Sequence, residues 1–326
     1  MKSIAIVSLL TTAALAQSSP SAAASASATS NPLIPTSISS GCTDFLTSLN
    51  SNSSLASCIQ PLVSATADFG PSSNATGNAS ASAISSALNN VCGSSSSCDD
   101  SVIRGMLANF YSACPAELTS KSNSDVIRTY DVIYALTPLK EAVCSKDDSG
   151  RYCVTTLSSI VSSSSVRVST GSSSSSYIES IRDNLYNPVS SSSVARRAAE
   201  DQVALVPNVT TYRESNILFL FLDKSLSSDK LCTTCTRNVL TAYMNFETSV
   251  PYAPGINNSL LLAGQSDLYS GIQSTCGASF LQGSVQAAGG SISGGLLSAA
   301  PRSVDGKMAT VTAMFGALLV GAVSLL

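Results

Sequence analysis

Two cysteine thiols, Cys232 and Cys235, stand at C-x-x-C spacing in the segment LCTTCTRNVLTAYMNFE (231–247). Thiols at this spacing can form a redox site, ligate zinc, or serve as halves of structural disulfides. A thioredoxin-like redox site is credible next to a βαβ pattern, which the sequence lacks, and a zinc site needs further thiolates or imidazoles. The sequence therefore favours structural disulfides over the redox and metal alternatives.

Histidine is absent from the chain, and this limits its catalytic options. Ser-His-Asp and Cys-His catalysis and histidine-ligated metals are excluded. Glycoside hydrolysis remains open, since it needs only two suitably separated carboxylates, and Asp131 and Glu141 are the candidates. The favoured interpretation is that they are solvated or pair with Arg128 and Lys140. We predict no catalytic residue, no cofactor and no metal ligand.

The N-terminal segment 1–16, MKSIAIVSLLTTAALA, has the order of a secretory signal peptide. Lys2 precedes an apolar stretch that ends in a small-x-small cleavage pattern. We expect the mature chain to begin at Gln17 and to enter an oxidising compartment, where cysteines pair as disulfides.

The C-terminal segment 299–326 resembles the signal for a glycosylphosphatidylinositol (GPI) anchor. Small residues precede a polar spacer, and the uncharged sequence MATVTAMFGALLVGAVSLL (308–326) follows with no basic residue behind it. The predicted attachment residue is Ser298, with Ser293 as second choice. A transmembrane span is the alternative, since roughly 20 apolar residues cross a bilayer.

Charge and sequons describe the expected surface. The formal net charge of −3 offers no attraction for nucleic acid. The expected partners are the membrane, through the anchor, and cell-wall glycan, although the absence of tryptophan weakens sugar binding; no protein partner is identified. N-glycosylation sequons occur at Asn52, Asn74, Asn78, Asn208 and Asn257.

Composition divides the mature chain into a folded part and low-complexity segments. Ser, Ala, Pro, Thr and Gly dominate segments that cannot bury enough apolar surface to fold. The predicted parts are a disordered segment (17–40), a cysteine-rich domain (41–282) with a Ser-rich disordered insert (about 157–200), and a Gly/Ser spacer (283–298). The dibasic pair Arg196-Arg197 in the insert is a weak candidate for proteolytic processing.

Apolar spacing predicts an all-α domain. Helical periodicity occurs in 99–114, 123–144, 231–247 and 259–276. Asp99 and Asp100 suit the start of the first of these helices. Ser124 is the predicted cap of the second, which Pro138 should stop or kink.

Two further expectations concern the segments after the insert. Ser228 or Asp229 is the predicted cap of the helix that carries the C-x-x-C pair. Periodicity leaves ESNILFLFLDKSL (214–226) open as either a buried helix or a strand.

All ten cysteines are expected to form disulfides. They are Cys42, Cys58, Cys92, Cys98, Cys114, Cys144, Cys153, Cys232, Cys235 and Cys276. Seven precede the insert and three follow it, so complete pairing requires at least one disulfide across it. Equal spacing of Cys42 to Cys58 and of Cys98 to Cys114 suggests an antiparallel helix pair joined as Cys42–Cys114 and Cys58–Cys98.

The chain resembles an uncharacterised family of secreted fungal proteins over about 41–290. The resemblance rests on YDVIYALTPL (130–139), Tyr152-Cys153, LCTTC (231–235), Gly264-Gln265 and Cys276-Gly277. It implies a cell-surface protein, usually GPI-anchored, and it implies no activity and no catalytic residue.

The expected function is therefore a non-enzymatic surface protein with a role in wall organisation, adhesion or ligand binding. A cell-wall glycan hydrolase or transglycosidase that uses paired carboxylates is the alternative. A haem or sterol binder is a third possibility, although haem would lack a histidine ligand.

Overall fold

A computed structural model describes residues 31, 33–49, 51–69, 80–93, 98–163, 181, 183–189 and 204–281. The chain divides into two units, Met1–Asn31 and Pro32–Leu326, and every described residue after Asn31 belongs to the second. The predicted signal peptide, the spacer and the anchor signal with Ser298 lie outside the described residues. So do Asn74, Asn78 and Arg196-Arg197.

The described part of the chain is mostly helical, which confirms the predicted all-α class. The first six helices are α1 Ser40–Leu49, α2 Ser53–Thr66, α3 Ala81–Val91, α4 Asp100–Ala113, α5 Ser124–Cys144 and α6 Cys153–Ser163. After them come α7 Val209–Glu214, α8 Ser228–Leu231, α9 Thr234–Ser249 and α10 Gln265–Cys276. Short 3₁₀ turns cover Ala67–Phe69, Ile217–Phe219 and Ile256–Asn258, and a π turn covers Ala116–Ser120. None of the described helices is long and apolar enough to cross a membrane.

Helix α5 lies at the centre of the packing and contacts α3, α4, α6 and α9. Its buried residues occur on every side, which is typical of a helix enclosed by others. Asn123 caps it by accepting from the N–H groups of Asp125 and Val126, so the prediction of Ser124 as the cap is wrong by one residue. Pro138 does not stop the helix, because the backbone continues in helical form to Cys144.

The predicted helix around the C-x-x-C pair is divided in two. Helix α8 ends at Leu231, and α9 begins at Thr234 with Thr233 as its cap. Thr233 adopts an extended conformation, and its Oγ1 accepts from Thr236 N at 3.2 Å. The predicted caps Ser228 and Asp229 are therefore not the caps of the long helix. Cys232 lies between the two helices.

The ambiguous segment 214–226 forms neither a helix nor a strand. A buried 3₁₀ turn, Ile217–Phe219, lies between residues with positive φ: Asn216 at 47°, Leu220 at 53° and Phe221 at 64°. Bulky residues rarely adopt this conformation, so the surrounding packing must impose it. Asn216 Nδ2 donates to Leu222 O at 2.9 Å across the turn, and the Tyr243 hydroxyl donates to Leu218 O.

A two-stranded ribbon accompanies the helices. Strand β1 (Tyr186–Val189) pairs antiparallel with β2 (Ala204–Pro207), and Tyr186 is opposite Pro207. Helix α6 extends to Ser163, with Leu157 and Ser158 buried. Regular structure therefore extends into the 157–200 range predicted to be a disordered insert.

Five disulfides pair all ten cysteines. Cys42–Cys114 and Cys58–Cys98 confirm the pairing suggested by equal spacing. Cys153–Cys235 is the bond across the insert that the odd counts required. The other two are Cys92–Cys144 and Cys232–Cys276.

Candidate functional site

The C-x-x-C cysteines are structural. Cys232 pairs with Cys276 and Cys235 pairs with Cys153, so the two sulfurs do not bond to each other and neither is free. The first bond ties the junction between α8 and α9 to the end of α10, and the second ties α9 to α6. The disulfide interpretation is confirmed, and no thiolate remains for redox chemistry or zinc ligation at this pair.

Asp131 is fully buried in the middle of α5, where it accepts hydrogen bonds from the segment between α9 and α10. Its Oδ1 accepts from the Tyr252 hydroxyl at 2.5 Å. Its Oδ2 accepts from the backbone N–H groups of Leu260 and Leu261 at 2.7 and 3.0 Å. The prediction that Asp131 is solvated or pairs with Arg128 is wrong, since Arg128 instead pairs with Asp125.

The electrostatics of Asp131 follow from its burial. Loss of hydration raises the pKa of this carboxyl to about 6, and the hydrogen bonds from Tyr252, Ser259 and the backbone offset only part of the effect. The rings of Tyr130 and Tyr134 pack edge-on against the Tyr252 ring, at 5.3 and 5.0 Å between centroids. Asp131 is thus shielded from solvent, and its one aromatic hydrogen-bond partner, Tyr252, is itself packed against two further tyrosines.

The other residues of the family resemblance also serve packing. The Tyr134 hydroxyl donates to Val250 O at 2.7 Å, which ties α5 to the end of α9. Gln265 is buried, and its Nε2 donates to Glu247 Oε1 and, at 2.8 Å, to the Tyr269 hydroxyl. These residues join α5, α9 and α10, so their role in the structure is to hold the three helices together.

Glu141 lies at a cavity of about 190 Å³ between α2, α4 and α5. Apolar side chains and the half-cystines of two disulfides form most of its lining, and three charged residues complete it: Asp100, Lys140 and Glu141. None of the described residues that line it is aromatic. This cavity is the candidate site, because it brings a predicted site carboxylate, Glu141, together with a concave surface.

The charges at the cavity influence one another. Partial loss of hydration, followed by repulsion from Asp100, raises the pKa of Glu141 to about 7, and Lys140 opposes the shift. Desolvation lowers the pKa of Lys140, while Glu141 and Asp100 act in the opposite direction. Glu141 and Lys140 therefore attract each other electrostatically at the cavity, as the predicted pairing requires.

Asp131 and Glu141 do not form a catalytic pair. Ten residues separate them along α5, which at 1.5 Å per residue is a separation of about 15 Å along the helix axis. Glycosidases place their two carboxyl groups roughly 5 to 9.5 Å apart. The second carboxylate at the cavity is Asp100, which sequence analysis treated only as a helix-dipole residue. Asp100 comes two residues after Cys98, which bonds to Cys58 on the opposite wall of the cavity. This position was the one feature of the sequence that could have placed Asp100 at the cavity.

The described sequons occupy helix starts and a turn. Asn52 and Asn208 are the caps of α2 and α7, where their Oδ1 atoms accept from Leu55 N and Thr211 N. Asn257 is exposed in the 3₁₀ turn Ile256–Asn258. A glycan on Nδ2 would leave the Oδ1 cap of Asn52 or Asn208 in place, since the two use different atoms of the amide.

No group of three or more His, Cys, Asp or Glu residues within the described ranges is arranged to bind a metal ion.

Comparison with known families gives one match. Residues 26–170 match the family model described as a domain of unknown function (DUF7729). The DUF7729 match includes seven of the ten cysteines and all of the candidate cavity, and it ends within the insert. It is consistent with the expectation of an uncharacterised family and assigns no activity. No curated protein and no solved structure matches the chain at a significant level.

Proposed function

We propose that this chain is a non-enzymatic fungal cell-surface protein, GPI-anchored to the plasma membrane or wall, whose helical unit binds a ligand. The observation that carries the proposal is the complete pairing of ten cysteines in five disulfides. Such a framework persists in oxidising compartments, as expected after secretion through the signal at 1–16. The apolar tail at 308–326 supports anchoring.

Ligand binding is favoured among the surface roles because the helical unit contains a formed cavity. The cavity is smaller than the roughly 300 to 1,000 Å³ of pockets that hold drug-sized ligands. It is therefore too small for haem or a sterol.

The location is tested in a fungal host with the full chain carrying an epitope tag within 17–40. We expect the tag at the surface of intact cells and its release by phosphatidylinositol-specific phospholipase C. The matched control lacks 308–326 and should be secreted into the medium. Surface protein that resists the phospholipase and is released by β-glucanase would be attached to the wall, whereas resistance to both enzymes would indicate a transmembrane span. Intracellular protein would refute the proposal.

The glycan-hydrolase alternative keeps one supporting observation. Asp100 and Glu141 face one cavity, and the raised pKa of Glu141, about 7, suits a general acid. Against it, the cavity has no aromatic platform among its described lining residues and could enclose no more than one sugar ring.

The alternative has a direct assay. The purified chain is incubated with β-glucan and chitin, and new reducing ends are measured for the wild type and for Glu141→Gln. Reducing ends that appear with the wild type and not with the variant would establish the hydrolase and overturn the non-enzymatic proposal.

A further inference from the structure

We infer that the cavity between α2, α4 and α5 binds a small monocationic amphiphile, a primary ammonium group on an apolar body of about six carbons. The inference rests on the proposed ligand-binding function and names the ligand class. It follows from three features of the cavity: its apolar interior, its charged mouth and its covalently fixed walls.

The interior is apolar and of a definite size. Ile59 and Leu62 of α2, Ile103 of α4 and Leu136 of α5 line it, and each is buried in the core. An apolar cavity of roughly 150 Å³ is enough to bind benzene. The volume of about 190 Å³ found here therefore suits one ring or a short alkyl chain.

The mouth carries an excess of negative charge. Asp100 and Glu141 are exposed and Lys140 is half-buried, so with all three ionised the mouth has a net charge of −1. A bound monocation would neutralise this charge, whereas a bound carboxylate would double it. The mutual repulsion of Asp100 and Glu141, which helps to raise the pKa of Glu141, would be relieved by an ammonium group between them.

The walls are held in place before any ligand arrives. Cys58–Cys98 joins α2 to the start of α4, and Cys92–Cys144 joins the end of α3 to the end of α5. All four half-cystines line the cavity. A preformed site loses little conformational freedom on binding, so a small ligand can be held by few contacts.

The test uses the full chain, produced in a secretory host and recovered in its oxidised form, with four probes at pH 8. Hexylammonium, hexan-1-ol and hexanoate share one chain length and differ in charge, while methylammonium has the charge without the chain. Calorimetry or ligand-observed NMR should show hexylammonium binding at least about tenfold more tightly than hexanoate, with hexan-1-ol between them. Methylammonium should not bind measurably, since it fills none of the apolar interior.

Three variants locate the binding. Glu141→Gln should weaken hexylammonium about tenfold and leave hexan-1-ol unchanged, since only a charge-assisted bond is lost. Thr137→Phe, at a half-buried lining position, should abolish binding of both by filling the cavity. Asp44→Asn on the exposed face of α1 removes a carboxylate outside the cavity and should change nothing.

Lowering the pH gives a further readout. The groups that face Glu141 are Asp100 from α4 and Lys140 from α5. With a pKa of about 7, Glu141 is mostly ionised at pH 8 and mostly neutral at pH 5.5. Hexylammonium should therefore bind roughly tenfold more weakly at pH 5.5, and Glu141→Gln should lose this dependence.

Equal affinity for hexan-1-ol and hexylammonium would overturn the inference, and so would binding that survives Thr137→Phe. Absence of binding to all four probes would overturn it as well. These results leave the cell-surface location standing, because that location is judged by phospholipase release and not by binding. An intracellular location would refute the proposed function whatever the probes show.

Discussion

Asp131 shows how a carboxylate in an apolar helix can belong to the fold. From the sequence, Asp131 was expected to be catalytic, solvated or paired with Arg128. Its role as a buried acceptor for backbone donors was not among these expectations. Leu260 N and Leu261 N lie 129 and 130 residues further along the chain. Nothing in the local pattern of α5 indicates a contact at that range, and this is why the role could not be predicted.

Two substitutions at Asp131 should distinguish the contribution of its hydrogen bonds to stability from the contribution of its charge. Asp131→Ala leaves two backbone N–H groups and the Tyr252 hydroxyl buried without a partner, which should lower the free energy of unfolding by about 3 kcal/mol or more. Asp131→Asn keeps an acceptor for the N–H groups and should cost about 1 kcal/mol. Chemical denaturation of the oxidised protein measures both. Equal losses for the two variants would show that the backbone bonds are unimportant.

The pH dependence of stability follows from the same carboxyl. Its pKa of about 6 in the folded chain is above the 3.8 of an unperturbed aspartate, so the folded state binds the proton more tightly. Stability should therefore rise as the pH falls from 7 through 6, and Asp131 should contribute about 1 kcal/mol of the rise between pH 7 and pH 5. The raised pKa values of Glu141, about 7, and of Glu247 act in the same direction.

Two comparisons isolate the Asp131 contribution. Asp131→Asn should remove about 1 kcal/mol of the rise between pH 7 and pH 5. Asp147, whose pKa is lowered to about 2 by bonds from Ser149 and Arg151 despite partial burial, loses its contribution only below pH 3.8 and does not interfere. Stability that falls between pH 7 and pH 5 would contradict the assignment.

At the scale of elements, periodic apolar spacing predicted helices where side chains face one core. Helix α4 is the clearest case, because Ile103, Leu107 and Phe110 recur at helical spacing and are all buried. The caps at Asn123 and Thr233 were each assigned to the wrong residue, since several adjacent Ser, Thr and Asn residues can accept the same N–H. The turn at 216–222 was not predictable, because its left-handed residues are fixed by distant partners such as Tyr243.

Two helical glycines make a matched pair for testing element packing. A Cβ on Gly271 of α10 would lie against Lys224 Cβ, far inside van der Waals contact, whereas a Cβ on Gly105 of α4 would meet nothing within 4 Å. Gly271→Ala should destabilise the fold by about 1 to 3 kcal/mol, since α10 must move away. Gly105→Ala should stabilise it by about 0.5 to 1 kcal/mol through helix propensity. Thermal unfolding of both variants checks the opposite signs.

At the scale of the whole chain, the number and spacing of the cysteines predicted disulfide connections that the amino-acid composition did not indicate. Odd numbers on the two sides of the insert required a bond across it, and equal spacing suggested two further bonds. The partners of Cys92, Cys144, Cys232 and Cys276 remained open, because spacing alone does not determine which helices pack together. The cavity could not be predicted either, since its lining comes from three helices that meet only in the fold.

One bond crosses the insert, and this can be tested by cutting the chain. A site-specific protease sequence placed between Arg196 and Arg197 would give two fragments. In a denaturing gel without reductant they should migrate as one species, and with reductant as two. In the double variant Cys153→Ser, Cys235→Ser they should separate without reductant. Fragments that separate from the disulfide-intact chain would show that Cys153–Cys235 is absent.

The same bond has a mechanical consequence. A pull between the N-terminal segment and the end of α10 would pass from Cys153 directly to Cys235, 82 residues further along the chain. The chain between Cys153 and Cys232, insert included, would stay slack however strongly the ends were drawn apart, because Cys232–Cys276 carries the force from the end of α10. Changes in the length or sequence of the insert would then leave the maximum extension of the oxidised chain unaltered, while reduction of this bond would add the contour of the whole loop.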